Sequence, residues 1–311
     1  MKSKFVCPVC RAGEGFRFVE RCGDYALYYC PSCDLVFSDP MKTQGGGWYD
    51  KAYIVRHIAV DDRIMWYFSW ALKNLPKKGK LLDIGCGAGT FVAYASKEGY
   101  EASGIDFSVE AIEAGKRRFG IESLFATTLE EFRRGQPHEI FDAITSFEVL
   151  EHVESPALFL GEMKELLKPG GRIALSVPNR DRWPVREFND YPPHHLTQWS
   201  ERSLRRLLEA LGFEILQIER TPIPLSINFF YGYLVRILLY KILNLYAKGL
   251  VVPKGETSPN RSTSLEKIGR LGSKMRRLRD ALMWIPTILT LPIFYPFFEG
   301  YNIVALARRG A

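Results

Sequence analysis

A short apolar strand followed by three closely spaced glycines is the feature that most constrains the fold of this chain. The stretch reads LLDIGCGAGTF, with Asp83 near the end of the strand and Gly85, Gly87 and Gly89 in the turn. A helical pattern follows over residues 91–98. Glycines in a strand-to-helix turn let the backbone approach a ligand closely, and the N-terminus of the helix faces that ligand. This order predicts an α/β fold with a ligand site at the carboxyl end of the strand.

The spacing of the glycines favours a nucleoside ligand without phosphates. Thr90 stands where the dinucleotide fingerprint G-x-G-x-x-G has its last glycine. The carboxylate of Asp83 would repel a pyrophosphate but would suit a cationic ligand. Asp106 follows the next predicted strand, where a carboxylate can accept hydrogen bonds from both hydroxyls of a ribose.

Strands and helices alternate regularly from Lys80 onward, which is typical of a doubly wound α/β sheet. The periodicity predicts seven strands, and the last of them is separated from the sixth by a long insert. The predicted strands lie near residues 80–84, 101–105, 122–126, 140–146, 171–177, 213–219 and 302–308.

Three motifs in this order, LLDIGCGAGTF, GIDFS and FDAITSFEVLEHV, resemble those of the class I S-adenosylmethionine-dependent methyltransferases. The resemblance covers residues 81–220 and the last strand. It implies S-adenosyl-L-methionine as the cofactor and a Rossmann-like sheet whose last strand runs antiparallel beside the sixth. It also implies a set of cofactor-binding residues at the ends of the strands: Asp83, Gly85, Gly87, Gly89, Asp106, Phe107, Thr128, Leu129 and Phe147.

Two CxxC pairs near the N-terminus predict a small zinc ribbon over residues 1–40. The pairs are Cys7 with Cys10 and Cys30 with Cys33. Four thiolates from two tight turns form the ligand set of a structural Zn²⁺ site, and such a closed site leaves no position for a catalytic water. Between the pairs, FRFVER and YALYYC alternate with the period of a hairpin. The metal is therefore assigned to folding.

The N-terminal ribbon resembles that of bacterial methyltransferases that act on sugars or secondary metabolites, including C-methyltransferases of nucleotide sugars. In these enzymes a tyrosine-bearing segment often covers the active site, and the segment here reads WYDKAY. The resemblance makes Tyr49 and Tyr53 candidate site residues within a helical cover segment, residues 41–79. Ordinary amphipathic packing of the two tyrosines is the alternative.

The motif EVLEHV resembles one found in ubiquinone-pathway O-methyltransferases, and ExxEH recurs in RNA 2′-O-methyltransferases, where it can bind a divalent ion. Glu148, Glu151 and His152 would supply its ligands here. In the other interpretation, the two acidic residues favour a helix N-terminus and His152 packs under the loop.

The segment YPPHHLTQWS carries two further histidines, and it leaves the predicted sheet at the edge where ligands bind. The prolines are expected to hold the backbone extended before His194 and His195, and Ser200 is expected to cap the next helix. The candidate catalytic residues are therefore His194, His195 and His152, although either histidine of the pair could have a structural role.

The insert, residues 221–300, combines basic charge with apolar runs. From Thr221 to the end, 13 Lys and Arg stand against 4 Asp and Glu, whereas residues 281–298 carry no charge and are interrupted by prolines. Both ends of the insert adjoin one sheet, so an even number of crossings is required, and two would translocate the basic cluster of Lys274, Arg276, Arg277 and Arg279 against the positive-inside bias. The pattern predicts peripheral contact with an anionic membrane. A hydrophobic lid or a dimer face is the alternative.

The charge lies between apolar runs and not around a stacking platform, so no nucleic-acid partner is expected. The sequence predicts a cytoplasmic S-adenosylmethionine-dependent methyltransferase, peripheral on the inner face of the cytoplasmic membrane. Its expected acceptor is a hydroxyl on a sugar, a lipid-linked glycan or another lipophilic small molecule. The alternatives are C-methylation of a nucleotide sugar and a non-catalytic scaffold that binds the cofactor. The methyltransferase domain is assigned to residues 80–220 and 301–311.

Overall fold

The computed structural model describes residues 5–43, 65–135, 138, 140–182, 190–227, 290 and 300–310. The chain divides into two compact units, of which the first contains residues 1–181, 186–221 and 301–311. The second unit contains residues 182–185 and 222–300. Tyr49, Tyr53 and most of the insert lie outside the described residues.

The described part of the first unit alternates strands and helices after an N-terminal group of strands. In chain order its elements are β1 (Arg17–Cys22), β2 (Tyr25–Cys30), β3 (Leu35–Asp39), α1 (Trp66–Asn74), β4 (Lys80–Ile84), α2 (Thr90–Lys97), β5 (Glu101–Asp106), α3 (Val109–Phe119), β6 (Leu124–Ala126), α4 (Leu129–Arg134), β7 (Phe141–Phe147), α5 (Pro156–Leu166), β8 (Leu167–Pro178), β9 (Thr197–Gln198), α6 (Glu201–Ala210), β10 (Phe213–Arg220) and β11 (Asn302–Arg309).

The main sheet has seven strands in the order β10-β11-β8-β7-β4-β5-β6. Strands β4 to β8 pair in parallel, whereas β11 is antiparallel to both β8 and β10. The predicted fold class, with seven strands and the last one antiparallel beside the sixth, is confirmed. The two largest differences are at β6, a short edge strand that begins at Leu124, and at β8, which begins at Leu167.

Consecutive residues of the central strands pack on opposite faces of the main sheet. Leu82 and Ile144 belong to one buried apolar cluster, whereas their neighbours Leu81 and Ala143 belong to another. Both faces of a doubly wound sheet are covered by helices, so its strands are apolar on both sides. Each fully buried leucine or isoleucine contributes roughly 1.5–3 kcal/mol to folding. The carboxyl ends of the strands are thereby fixed on a rigid support.

A second sheet has the order β1-β2-β3-β9. The predicted hairpin of the ribbon is confirmed, because β1 and β2 pair antiparallel. The fourth strand comes from the histidine segment: Val36 pairs with Gln198 and Phe37 pairs with Thr197. The ribbon and the segment that follows His195 are thus parts of one sheet.

The insert begins and ends at one point on the edge of the main sheet. The backbone N–H of Thr221 donates to the carbonyl of Asn302 at 2.9 Å, and the N–H of Asn302 donates to Oγ1 of Thr221 at 2.8 Å. Within the described part of the chain, no helix is both long enough and apolar enough to span a membrane.

Candidate functional site

The glycine turn between β4 and α2 has the backbone conformation that only glycine adopts easily. Gly85, Gly87 and Gly89 have φ angles of 75°, 53° and 71°. A Cβ atom on Gly85 would lie 2.3 Å from Cγ2 of Val149. The turn after β7, which carries Glu148 to His152, therefore packs directly against the glycine turn.

Asp106, at the end of β5, connects three segments at the carboxyl edge of the sheet. Its Oδ2 accepts from the N–H of Gly87 at 2.8 Å, and its Oδ1 accepts from the N–H of Ser108 at 2.9 Å. Its carbonyl accepts from the N–H of Thr127 at 2.9 Å. The next residues of that segment are Thr128, whose hydroxyl caps α4, and the buried Leu129. The structure thus brings the glycine turn, Asp106 and Thr128–Leu129 together.

Asp83 is buried in β4, and its Oδ1 accepts from the hydroxyl of Thr145 at 2.7 Å. Burial raises the pKa of Asp83 to about 7, and the nearby charge of Asp106 adds to the rise while Thr145 opposes it. A cation bound nearby would favour the ionised form and would lower this pKa. The side chain is therefore poised to respond to a positively charged ligand at neutral pH.

Phe147, at the end of β7, belongs to a group of aromatic side chains. Its ring stacks on Tyr67 of α1 with centroids 5.2 Å apart, and Phe68 and Phe91 contact it at 5.3 and 4.9 Å. Sequence reasoning selected Phe147 but missed Tyr67, which lies in a helix with no motif of its own. Phe107, directly after Asp106, has half of its surface exposed.

These residues fit S-adenosylmethionine. The two carboxylate oxygens of Asp106 accept from the N–H groups of Gly87 and Ser108, and a carboxylate at this edge is also suited to accept from ribose hydroxyls. Phe107 exposes half of its surface and can stack on an adenine, and the buried carboxyl of Asp83 near the glycine turn can favour a cationic ligand. The turn itself, at positive φ, lets the ligand approach the backbone.

His152, His194 and His195 form a cluster, and the N–H of His152 donates to the carbonyl of Val149, whose side chain lies against the glycine turn. Their ring centroids lie 4.6, 4.8 and 4.9 Å apart in the three pairings. One nitrogen from each ring lies within 4.8 Å of the others. All three sequence-selected histidines are therefore brought together, although His152 precedes the other two by about forty residues in the chain.

The protonation state of His152 follows from its partners. Its Nδ1 lies 2.7 Å from the carbonyl oxygen of His194. A carbonyl oxygen only accepts, so Nδ1 carries the proton of the neutral ring and Nε2 keeps its lone pair. Burial lowers the pKa of His152 to about 4, although the carbonyls of His194 and Glu148 favour the protonated ring. The ring is therefore neutral at neutral pH, with the lone pair of Nε2 able to accept a hydrogen bond, and a pKa this low makes it a weak general base.

His195 lies between two carboxylates. Its Nδ1 is 3.6 Å from Oδ1 of Asp190, and its Nε2 is 4.0 Å from Oε1 of Glu151. A carboxylate beside an imidazole orients the ring and stabilises its protonated form. Sequence reasoning missed Asp190, although it stands only five residues before His195 in the segment NDYPPHH.

The prediction of an extended backbone before the two histidines is wrong. The N–H groups of His194 and His195 both donate to the carbonyl of Tyr191, at 3.1 and 3.2 Å, and close a turn. Prolines have no N–H, so the first backbone donors after Tyr191 are those of the two histidines. The predicted cap of α6 is confirmed, because Ser200 accepts from the N–H of Ser203.

The carboxylate of Glu148 has partners other than the histidines. Its Oε1 accepts from Ser176 at 2.7 Å and its Oε2 accepts from Asn302 at 3.0 Å. Its φ of 56° turns the chain sharply after β7. The described contacts of Glu148 therefore link β8 with β11. The candidate metal ligands are the ring nitrogens of His152, His194 and His195.

The four cysteines of the ribbon lie together. The sulfurs of Cys7 and Cys33, and those of Cys10 and Cys30, are 3.5 Å apart, and all four lie within 4.8 Å of one another. Sulfurs around a tetrahedral Zn²⁺ are about 3.8 Å apart, since each Zn–S bond is about 2.3 Å. The contact with Cys33 lowers the pKa of Cys7 to about 5. The arrangement is compatible with a zinc ribbon.

Comparison with known proteins identifies the family. The family described as "Methyltransferase domain" matches residues 60–218, just over half of the chain. The ubiquinone biosynthesis O-methyltransferase of Schizosaccharomyces pombe mitochondria is 37% identical over 105 residues, which are 32% of this chain and 38% of that protein. The enzyme of the same name from Xylella fastidiosa is 37% identical over 114 residues, or 35% of this chain and 46% of that protein. The chain thus spans less than half the length of these curated relatives.

The crystal structure of the [4+2]-cyclase SpnF resembles the chain with a TM-score of 0.53 and 17% identity, covering 86% of this chain and 96% of SpnF. At this identity the likeness shows the fold alone. The family match carries the assignment, and the glycine turn, Asp106 and the seven-stranded sheet agree with it. The protein belongs to the methyltransferase domain family.

Proposed function

We propose that the protein transfers a methyl group to a hydroxyl oxygen of a lipophilic small molecule, and that His195 receives the proton of that hydroxyl. The observation that carries the proposal is the position of His195 between Asp190 and Glu151, in a cluster that adjoins the glycine turn through Val149. A hydroxyl must lose its proton during methylation, and an imidazole beside a carboxylate is suited to accept it.

S-adenosylmethionine, when bound, supplies an electrophilic methyl group on its sulfonium. The proposed holders of the cofactor are the glycine turn, Asp106, Phe107, Thr128, Leu129 and Phe147, with Asp83 beneath the turn. Asp190 would orient His195 and stabilise its protonated form, while His152 would accept a hydrogen bond at Nε2. Proton transfer by a positioned group contributes roughly 10²–10⁴ to a rate.

The names of the relatives support an oxygen acceptor. The two curated relatives described above are O-methyltransferases of ubiquinone biosynthesis, and their matches cover about a third of this chain. Neither name includes a sugar. We therefore propose a lipophilic hydroxyl compound ahead of a sugar, a lipid-linked glycan or the carbon atom of a nucleotide sugar.

A second candidate role for the cluster is divalent metal binding. Three imidazoles whose nitrogens lie within 4.8 Å of one another are one ligand set, and Glu151 lies 3.8 Å from His152 and 4.0 Å from His195. A metal there would orient the acceptor oxygen and favour its deprotonated form. In that case His195 would be a ligand and could not accept the proton.

We also propose a role for each region of the chain. Residues 1–40 form a ribbon that binds structural Zn²⁺, residues 41–79 cover the site, and residues 80–220 with 301–311 form the catalytic domain. Residues 221–300 form an insert that contacts anionic membrane on the cytoplasmic side. The clustered cysteines support the first assignment, and the basic and apolar composition supports the last.

Label transfer tests the proposal directly. The full chain is incubated with S-adenosylmethionine labelled in the methyl group and with three acceptor panels: phenols and catechols with aliphatic side chains, bacterial lipid extract, and nucleotide sugars. We expect label in the first or second panel, in a product whose mass and fragmentation place the methyl group on oxygen. Label found only on carbon, or only in the nucleotide-sugar panel, would overturn it.

A further inference from the structure

The residue that follows His195 is held from two sides. The carbonyl of Leu196 accepts from the N–H of Ser38 in the ribbon at 2.9 Å. The N–H groups of Leu196 and Thr197 donate to the carbonyl of Glu151 at 2.8 and 3.2 Å. The ribbon and the turn that carries His152 therefore both form hydrogen bonds with the segment of Leu196 and Thr197. Any movement of the ribbon strand β3 relative to that turn must displace this segment.

Arg180, just after β8, ties the second cysteine turn of the ribbon to the same segment. Its guanidinium donates to the carbonyl of Asp34 at 2.6 Å and to Oδ1 of Asp34 at 3.0 Å. It also lies 5.7 Å from the ring centroid of Tyr29. Its backbone N–H donates to the carbonyl of Trp199 at 2.8 Å. Arg180 thus connects the ribbon with the segment that follows the histidines.

The geometry of Asp34 depends on the cysteine turn. Asp34 follows Cys33 directly, has a φ of 66°, and donates its N–H to the carbonyl of Cys30 at 2.8 Å. Its carbonyl accepts from the hydroxyl of Ser200 as well as from Arg180. The equivalent residue of the first cysteine turn is Arg11, with a φ of 60°, and it is exposed. Among the contacts described for the two cysteine turns, only the second turn is hydrogen-bonded through Arg180 and Ser200 to the segment after the histidines.

We propose that Asp34 and Arg180 are positioning residues of methyl transfer: they fix His194 and His195 against His152 through the second cysteine turn, so that metal loading of the ribbon governs the geometry of the histidine cluster. The predicted effect of Asp34 and Arg180 on catalysis rests on the proposed role of the histidines, whereas their predicted effect on the positions of the histidines does not.

Backbone hydrogen exchange measures the geometry without an acceptor. In the full chain, Arg180→Gln should speed exchange in a peptide covering residues 194–200 about tenfold, because local opening loses the guanidinium anchor. Asp34→Asn should have a smaller effect, since it keeps the carbonyl that Arg180 and Ser200 contact. Arg180→Lys should restore part of the protection. Arg11→Asn, the matched change in the first cysteine turn, should leave this peptide unchanged. Zinc content and S-adenosylhomocysteine affinity should stay at wild-type values in all four variants.

Removal of the ribbon metal by a chelator provides the second arm. In the wild-type protein it should speed exchange in the same peptide, and re-addition of Zn²⁺ should reverse the change. Unchanged exchange on chelation, or equal effects of Arg180→Gln and Arg11→Asn, would overturn the proposal whatever happens to activity. Faster exchange with an unaltered kcat on the alkylated catechols would support the coupling and would instead remove the histidines from the proposed mechanism. Faster exchange with a lower kcat and an unaltered KM for the cofactor supports both.

Discussion

Nδ1 of His195 lies 3.6 Å from Oδ1 of Asp190, so that the carboxylate of Asp190 orients the imidazole ring of His195. Oriented by Asp190, His195 can take a proton at Nε2. We expect His195→Gln to lower kcat roughly 10²–10³-fold and Asp190→Asn to lower it about tenfold. S-adenosylhomocysteine affinity, measured by calorimetry, should change less than about twofold, because neither residue is among the proposed holders of the cofactor.

His138→Gln is the matched control, since this histidine is exposed and lies outside the cluster. Full turnover by His195→Gln would remove His195 from the mechanism. A stoichiometric divalent ion that dissociates in both His195→Gln and His152→Gln would favour the metal role of the cluster.

The buried carboxyl of Asp83 should make the ligand-free protein less stable as the pH rises. Its pKa is raised to about 7 in the folded protein, above the value of about 3.9 in an unfolded chain. Its contribution to stability is therefore full below about pH 4 and is lost as the pH rises through about 7. The free energy of unfolding of Asp83→Asn, relative to that of the wild type, should therefore rise by about 2.5 kcal/mol between pH 5 and pH 8, measured by urea denaturation.

Asp142→Asn is the control for this effect. Burial raises the pKa of Asp142, but hydrogen bonds from Lys168 and from the N–H of Lys80 lower it further, so that the net shift is downward. Its substitution should give a constant offset between pH 5 and pH 8. Equal pH dependence in wild type and Asp83→Asn would show that Asp83 is already ionised in the ligand-free protein.

The contact between Gly85 and Val149 should make the glycine turn intolerant of a methyl group. Gly85→Ala places a Cβ 2.3 Å from Cγ2 of Val149 at a φ of 75°. We expect S-adenosylhomocysteine to bind at least about tenfold more weakly, because the added strain is on the order of 1–3 kcal/mol. Gly99→Ala has a similarly positive φ with nothing within 4 Å, and it should change stability but not binding. Adding Val149→Ala to Gly85→Ala should recover part of the affinity. No recovery would mean that the backbone angle alone sets the loss.

The cysteine cluster should hold one Zn²⁺ per chain. Cys33→Ser should abolish stoichiometric zinc, measured by metal analysis after dialysis, and should lower Tm by about 5–10 °C. Cys22→Ser is the matched control within the ribbon, because Cys22 lies outside the cluster. A wild-type protein without bound zinc, or equal effects of the two substitutions, would contradict the assignment.

The insert should bind anionic bilayers. In flotation assays we expect the full chain to bind phosphatidylcholine vesicles that contain phosphatidylglycerol, and to bind pure phosphatidylcholine weakly. Changing Lys274, Arg276, Arg277 and Arg279 to Gln should weaken binding by roughly 10²–10³-fold, at about 1 kcal/mol per charge.

The hydrogen bonds between Thr221 and Asn302 make a clean deletion possible, since a short glycine-serine linker can replace residues 222–300. This variant should stay unbound on both kinds of vesicle. If the full chain also stays unbound, the lid or dimer-face alternative takes the place of membrane contact.

The residues that sequence reasoning found are those whose signals are local. A strand, a glycine turn and a helix within twenty residues are enough to predict β4, α2 and the cofactor edge, and CxxC spacing is enough to predict the cysteine cluster. The link between Arg180 and Asp34 could not be predicted, because 146 residues separate them. The same holds for β9, whose two residues become a strand only because β3 offers them an edge. The segment before His194 was predicted wrongly. Proline favours an extended backbone in the residue before it, but here the N–H groups of His194 and His195 both donate to the carbonyl of Tyr191 and close a turn.

The late arrival of β9 also bears on how the chain emerges from the ribosome. Ser200 follows Asp34 by 166 residues, so at about 5–20 residues per second the partner of β3 is made roughly 8–33 s after the ribbon. Throughout that interval β3 is an open edge, on which a second nascent chain could pair. The hydrogen bonds that β9 later supplies cover this edge, and they come from the segment that directly follows His194 and His195. Protection of the ribbon edge therefore depends on the same short stretch of chain that carries the two histidines.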